Sequence, residues 1–205
     1  MPVVEIPTSE GDARAVVAPA AGAARGLAAF GHGAGGGLGA PDLVAVTAAL
    51  GAAGWTVAGV EQPYRVRGSR MPDRAPRLDA AWTEVVARLR DDVPGPLLVG
   101  GRSSGARVAC RTAGAVGAQA VVCLAFPLHP PGRPDKSRAD ELRMVGVPTL
   151  VVQGERDPFG RPADVSAAVT DAPVTVCAVA GDHSLRRTSA VTEAVLGWLA
   201  GQRLA

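Results

Sequence analysis

Short apolar runs alternate with helical patterns along most of this 205-residue chain. The apolar runs predict strands at 3–6, 15–18, 27–30, 55–60, 97–100, 120–125, 149–152 and 174–179. Helical patterns lie between the later runs, at 43–53, 78–89, 107–113, 163–169 and 188–199. Because such alternation carries helices across a sheet, it predicts a mainly parallel sheet with helices on both faces. We therefore predict an α/β fold in which residues 1–205 form a single domain.

A Gly-x-Ser-x-Gly pattern lies on the predicted turn between the strand at 97–100 and the following helix. It consists of Gly101, Ser103 and Gly105. A serine on so sharp a turn has a strained backbone, and the residues two positions away must be small because larger side chains would collide with the strand or the helix. The position predicts a serine nucleophile. The pattern alone also fits an ordinary turn, since 26 residues of this chain are glycine.

A second glycine-rich segment, 31–36, follows the strand at 27–30. Its glycines allow the backbone to approach a substrate oxygen without an intervening Cβ. Acyl transfer from a serine requires backbone N–H groups that stabilise the oxyanion, one from a loop of this kind and one from the residue after the nucleophile. We expect the N–H of Gly33 or Ala34 and that of Ser104 to form this oxyanion hole.

Two loops after later strands carry a candidate acid and a candidate base. Asp157 follows the strand at 149–152 and His183 follows the strand at 174–179, so both lie where open α/β sheets form their sites. Asp157 is favoured as the acid because Pro158 restricts its backbone. Two neighbouring carboxylates, Glu155 and Asp182, remain alternatives.

The chain has three histidines, so the base can be chosen by comparison. The order Ser103, Asp157, His183 along the sequence is the order of one fold of serine hydrolases and differs from the orders in the other serine-hydrolase folds. His32 is interpreted as a residue that shapes the loop at 31–36. His129 precedes the acid and would require an unusual order, so it is a weaker alternative.

Five segments together resemble a known family: 31–36, 100–107, 126–134, 153–159 and 181–183. They are similar to a small lidless branch of the α/β-hydrolase superfamily, the dienelactone-hydrolase-like group, which also resembles the hydrolase-like domain of an NSL-complex subunit and of a testis-expressed protein. The resemblance implies an α/β-hydrolase fold, with Ser103 as nucleophile, Asp157 as acid and His183 as base. Dienelactone hydrolases have cysteine where this chain has Ser103, so an esterase, thioesterase or lactonase is expected instead.

The connection between the strands at 120–125 and 149–152 has too few residues for the helical cap that many relatives insert there. We therefore expect no cap domain and an open site. An open site favours small or flexible ester substrates, or substrates that are displayed on a larger molecule.

Five arginines crowd the loop after the strand at 55–60: Arg65, Arg67, Arg70, Arg74 and Arg77. One interpretation is that Arg65 and Arg67, with His129 on another loop, bind an anionic group of the substrate. The other is a solvated loop whose arginines form local ion pairs. The sequence favours the second interpretation.

Charge and targeting signals exclude several partners. The net charge of +2 argues against nucleic acid as the main partner. No basic segment followed by a long apolar stretch begins the chain, and glycines break the longest uncharged spans, so we expect a cytoplasmic protein that does not contact a membrane. The sequence gives no indication of the oligomeric state.

No cofactor or metal is expected. The three cysteines, Cys110, Cys123 and Cys177, lack metal-binding spacing and are predicted to be reduced core residues. The segment 31–36 also matches a dinucleotide-binding fingerprint, but four residues separate it from the next helix signal, which weakens that alternative. A non-catalytic interaction domain with the same fold is a further alternative.

Overall fold

The computed structural model describes residues 1–202 and 204, and its centre is an eight-stranded sheet. The strands are β1 (Val3–Ile6), β2 (Ala13–Ala18), β3 (Leu27–Gly31), β4 (Thr56–Glu61), β5 (Leu97–Arg102), β6 (Ala120–Leu124), β7 (Thr149–Gly154) and β8 (Val174–Val179). Their spatial order is β1-β2-β4-β3-β5-β6-β7-β8. The pairs β1–β2 and β2–β4 are antiparallel and the others are parallel, so the predicted mainly parallel sheet is confirmed.

Seven α-helices connect these strands in the part of the chain that the structure describes. They are α1 (Pro41–Ala52), α2 (Pro63–Val66), α3 (Ala75–Asp92), α4 (Ser104–Val116), α5 (Ala139–Arg143), α6 (Pro162–Ala168) and α7 (Thr188–Ala200). The five predicted helices correspond to α1, α3, α4, α6 and α7. The short helices α2 and α5 were not predicted, because four or five residues are too few to show a helical period.

The sheet has an apolar layer on each face. Phe30, Leu98 and Val122 face the layer that contains α1 and α7. The residues next to them along each strand, such as Ala29, Val99 and Val121, face the layer that contains α3 and α4. The central strands are therefore buried on both sides, which explains why each reads as a continuous apolar run. The site residues lie at the carboxyl edge of this sheet.

The connection from β6 to β7 contains only a 3-10 helix (Pro134–Lys136) and α5. The fold therefore has no cap domain, as predicted. Within the described residues, no helix has both the length and the apolar character needed to cross a bilayer. Cys110 and Cys123 are buried, as expected, but Cys177 is only partly buried because β8 is the edge strand of the sheet.

Candidate active site

Ser103 lies on the sharp turn between β5 and α4 with φ 52° and ψ −107°. A Cβ on Gly101 would lie 2.6 Å from the carbonyl oxygen of Gly31, and a Cβ on Gly105 would lie 2.4 Å from the same atom. Both distances are far below van der Waals contact, and the obstructing atom belongs to the backbone. The predicted steric reason for the two glycines therefore holds: the turn brings α4 directly against β3.

Gly105→Ala tests this close approach. We expect it to lower the free energy of unfolding by about 3 kcal/mol, the upper end of overpacking costs, because backbone atoms of β3 cannot move aside. Gly114→Ala is the matched control, since Gly114 lies on the same helix with nothing within 4 Å of its Cβ position. The control should raise the free energy of unfolding by about 0.5–1 kcal/mol. Urea denaturation of both variants measures the difference, and equal stabilities would contradict the packing argument.

Three side chains from distant parts of the chain form a continuous hydrogen-bonded row. The Ser103 hydroxyl donates to Nε2 of His183 at 3.0 Å, and Nδ1–H of His183 donates to Oδ2 of Asp157 at 2.8 Å. This tautomer follows from the carboxylate, which can only accept. The structure thus brings together the three side chains that the sequence assigned as nucleophile, base and acid. The row can move a proton from the hydroxyl to the imidazole while the carboxylate holds the ring.

The alternative acids do not reach the imidazole. The Asp182 carboxylate is exposed and accepts a hydrogen bond from the N–H of Ser184 at 2.9 Å, which lowers the Asp182 pKa. Glu155 is also exposed. By contrast, the Asp157 side chain is fully buried, so its orientation is fixed.

Asp157 is held by two donors in addition to His183. The N–H of Phe159 donates to Oδ1 at 2.8 Å, and Nε2 of Gln153 donates to Oδ2 at 2.9 Å. Gln153 is buried at the end of β7, and its Nε2 also faces the carbonyl oxygens of Phe126 and Gly160. Gln153 therefore joins the loop after β6 to the loop that carries Asp157. Its only signal in the sequence is a glutamine at the end of an apolar strand.

The segment 126–134, for which the sequence offered no chemical explanation, packs against the Asp157 loop. The N–H of His129 donates to the carbonyl oxygen of Phe159 at 3.0 Å. A Cβ on Gly160 would lie 2.8 Å from Cβ of Leu128, so the two loops touch. The Phe159 ring in turn lies 4.3 Å from the His183 ring. This segment therefore supports the positions of both Asp157 and His183.

Arg102, the residue before Ser103, contacts α1 and two loops. Its Nη2 donates to the carbonyl oxygen of His183 at 2.8 Å, and its Nε donates to Oδ2 of Asp42 at 3.0 Å. Its Nη1 would lie 3.2 Å from a Cβ on Gly33. Burial raises the pKa of Asp42 against the opposing effect of Arg102. The sequence analysis missed this role, because the partners of Arg102 lie 60 and 81 residues away.

The loop at 31–36 lies beside Ser103, and hydrogen bonds from His32 and Tyr64 hold its backbone. A Cβ on Gly33 would lie 3.7 Å from Cβ of Ser103. Nδ1–H of His32 donates to the carbonyl oxygen of Gly33 at 2.9 Å, and the Tyr64 hydroxyl donates to that of Ala34 at 3.2 Å. The N–H groups of Gly33 and Ala34, by contrast, donate to no atom of the residues described.

Ser104 provides a further N–H at the same place. It is the first residue of α4, where N–H groups have no acceptor within the helix. The positive end of the helix dipole adds to the attraction for a developing negative charge. The three N–H groups named in the sequence analysis are therefore free to bind an oxyanion.

His32 does not contact the nucleophile but is buried in its neutral form. The N–H of Gln62 donates to its Nε2 at 3.3 Å, and burial lowers its pKa below the ordinary value. Since both ring nitrogens have partners in the loop and its neighbour, His32 shapes the loop, as interpreted from the sequence.

The free energy of unfolding should therefore depend on the ionisation of His32. The unfolded chain binds a proton at the ordinary histidine pKa of about 6.5, whereas folded His32 does so only at lower pH, so stability is lost as the pH falls below that value. His32→Gln removes this titrating group, and the glutamine amide can still donate and accept hydrogen bonds. We expect the variant to lose less stability than the wild type between about pH 7 and pH 5. Urea denaturation at both pH values measures this, and parallel losses would contradict it.

The remaining predicted site residues have partners outside the hydrogen-bonded row. Arg67 forms an ion pair with Asp73 at 2.6 Å, and Nη1 of Arg65 donates to the carbonyl oxygen of Ser69 at 3.4 Å. Nδ1–H of His129 donates to the carbonyl oxygen of Pro130 at 2.9 Å, so His129 is not the partner of Ser103. The interpretation of local pairing thus accounts for Arg67.

A large apolar cavity of about 290 Å³ lies between α1 and the strands β2 and β4. Val16, Leu43 and Val57 are among its lining residues, and none of the three side chains in the hydrogen-bonded row lines it. The reacting bond of a substrate on Ser103 would therefore lie outside this cavity.

Comparison with known proteins agrees with this fold. A family model described as an alpha/beta hydrolase domain matches residues 24–196. No curated protein sequence matches the chain. Among solved structures, a serine hydrolase without a lid from Xanthomonas campestris has a TM-score of 0.78 at 21% identity, covering 98% of this chain and 96% of the other.

Two esterases are also similar in fold. Est1E from Butyrivibrio proteoclasticus has a TM-score of 0.76 at 15% identity, over 97% of this chain and 99% of the other. The esterase domain of a Rhodothermus marinus protein has a TM-score of 0.73 at 16% identity, over 97% of both chains. At such identities the similarity establishes the shared fold, and the chemistry must be argued from the site.

Proposed function

The chain belongs to the α/β-hydrolase family, and from this premise we propose that it is a serine esterase in which Ser103 is the nucleophile, His183 the general base and Asp157 the acid that orients it. The observation that carries the proposal is the unbroken row of hydrogen bonds from the Ser103 hydroxyl through His183 to Asp157. A strained serine beside free backbone N–H groups supports the same conclusion.

In the first half of the reaction, Oγ of Ser103 attacks the carbonyl carbon of the ester while Nε2 of His183 takes the hydroxyl proton. The carbonyl oxygen becomes an oxyanion, which the N–H of Ser104 and that of Gly33 or Ala34 stabilise. When the tetrahedral intermediate collapses, the bond to the leaving group breaks and His183 returns its proton to the departing oxygen. The acyl group is then attached to Ser103.

In the second half, water replaces the leaving group. His183 removes a proton from the water, whose oxygen attacks the acyl carbon, and the same N–H groups stabilise the second oxyanion. Collapse breaks the bond to Oγ, and the proton on His183 returns to Ser103. Throughout the cycle Asp157 keeps Nδ1 of His183 protonated, so that Nε2 faces the reaction.

The absence of a cap domain supports substrates that reach the serine from open solvent. Small or flexible esters satisfy this condition, and so do acyl groups displayed on a larger carrier. Thioesters and lactones could react at the same triad, because the attack on their carbonyl carbon is the same. Two esterases of similar fold favour oxygen esters as the first class to test.

Release of p-nitrophenol from p-nitrophenyl esters of graded acyl length, measured beside acyl-CoA thioester cleavage, tests the proposal. We expect hydrolysis of at least one ester series well above that of a Ser103→Ala control. If no substrate were hydrolysed faster than by the control, the interaction-domain alternative would replace the esterase proposal, because a scaffold has no need of an activated serine.

A further inference from the structure

A cavity of about 260 Å³ opens next to the loop that carries His183. Its lining combines the backbone at the end of β8 with three arginines, Arg156, Arg186 and Arg187. The N–H of Arg156 donates to the carbonyl oxygen of Gly181 at 2.9 Å, so the loops after β7 and β8 are joined where they form this cavity. Arg156 precedes Asp157 and Asp182 precedes His183, so the cavity is lined by the same two loops that carry the proposed acid and base.

The three guanidinium groups have no hydrogen bond and no ion pair within the described residues. Several arginines elsewhere are paired: Arg107 and Arg111, for example, both bind the Glu141 carboxylate. Unpaired arginines around one cavity favour an anion, since the planar guanidinium binds phosphate and carboxylate groups through two parallel hydrogen bonds.

One carboxylate, Asp182, also lines the cavity. The N–H of Ser184 donates to its carboxylate, which lowers the Asp182 pKa, and the charge of Arg186 contributes in the same direction without a direct ion pair. Three arginines against one aspartate leave the lining with a net positive charge. Arg187 is in addition the N-cap residue of α7, so this 13-residue helix begins beside the cavity, with the positive end of its dipole on that side.

We propose that this cavity is a subsite that binds a phosphate group of the substrate. The inference rests on the proposed function, because it names the class of ester or thioester that the same Ser103 would cleave: one that carries phosphate. This anion site is not the one considered in the sequence analysis, where one interpretation assigned an anionic group of the substrate to Arg65 and Arg67. Arg67 is occupied by Asp73, whereas Arg156, Arg186 and Arg187 are free to bind.

Two matched substrate pairs test the subsite at different distances from the reacting bond. One pair is p-phosphophenyl acetate and p-methoxyphenyl acetate, and the other is S-acetyl phosphopantetheine and S-acetyl pantetheine. For at least one pair we expect the wild type to show a kcat/KM about tenfold higher with the phosphate-bearing member. The Arg156→Gln/Arg186→Gln variant should abolish this ratio.

Arg70→Gln/Arg74→Gln is the matched control, because it removes the same charge from two exposed arginines on the α2–α3 loop that have no ion pair within the described chain. It should keep the wild-type ratio. If the ratio falls equally in both variants, general electrostatic attraction is responsible and the subsite is wrong. A wild-type ratio near one for both pairs also overturns it.

Calorimetric titration with inorganic pyrophosphate separates this inference from the proposed function. We expect binding to the wild type and to Ser103→Ala, and loss of binding in Arg156→Gln/Arg186→Gln. If esters are hydrolysed but pyrophosphate binding does not depend on these arginines, the subsite is wrong and the esterase proposal stands. If pyrophosphate binding depends on them but no ester or thioester is cleaved, the anion site stands and the proposed function fails. Arginine-dependent binding without a substrate preference would identify a site for free anions and overturn the substrate assignment.

Discussion

Ser103→Ala should lower kcat for ester hydrolysis by a factor on the order of 10⁶, since serine, histidine and aspartate act as a unit. The hydroxyl is the atom that forms the acyl intermediate, and alanine leaves His183 without a proton to take. Residual hydrolysis would come from the oxyanion hole and from substrate binding alone. Steady-state kinetics with the best p-nitrophenyl ester measures the change.

We expect this loss of kcat to come from the missing hydroxyl and not from misfolding. Alanine can adopt the backbone conformation of Ser103 about as well as serine does, so the thermal midpoint should stay near that of the wild type. Ser166→Ala, at an exposed position on α6, is the matched serine control and should keep wild-type kinetics. Full activity in Ser103→Ala would end the assignment of the nucleophile.

Asp157→Asn has the second largest expected effect, a loss in kcat on the order of 10⁴. The amide of asparagine would face two donors, the N–H of Phe159 and Nε2 of Gln153, in addition to His183. If the NH₂ group takes the place of Oδ2, Nδ1 of His183 must accept from it, so Nε2 carries the proton and cannot take another from Ser103. The same NH₂ group then also meets Nε2 of Gln153, a buried contact between two donors. If it faces Phe159 instead, a buried clash between two donors destabilises the loop. Urea denaturation should show a loss of stability in either orientation, and kinetics distinguishes the two because only the first orientation blocks proton transfer from Ser103.

The two neighbouring carboxylates provide matched controls for this prediction. Glu155→Gln and Asp182→Asn make the same chemical change within a few residues of Asp157 and His183, but at exposed carboxylates that do not contact the imidazole. Both should stay within a few-fold of wild-type kcat. An unaffected Asp157→Asn together with an inactive Glu155→Gln or Asp182→Asn would reassign the acid.

The sheet could be predicted because the pattern that specifies each strand lies within a few consecutive residues. Buried parallel strands such as β5 and β6 are continuous apolar runs, and the helices between them are long enough to show their period. The nucleophile turn could be anticipated for a similar reason, since Gly101 and Gly105 are dictated by sterics within a few residues and by the strand next to them. In both cases the constraint is visible in a short window of sequence.

The supporting contacts of the site were not predictable in this way. Arg102 binds partners 60 and 81 residues away, and Gln153 joins two loops whose proximity depends on the order of the strands. The arginines illustrate the same limit. Arg67 and Arg77, which are close together in sequence, have acidic partners. The unpaired arginines of the cavity come from two segments that only folding brings together.

The central claim is that the hydroxyl of Ser103 is activated by an imidazole that a buried carboxylate orients. Reaction with a fluorophosphonate probe, followed by intact mass and peptide mapping, tests it most directly. We predict a single adduct on Ser103 in the wild type, no adduct in Ser103→Ala and a strongly slowed reaction in His183→Gln. An unreactive wild type, or an adduct on another residue, would contradict the account.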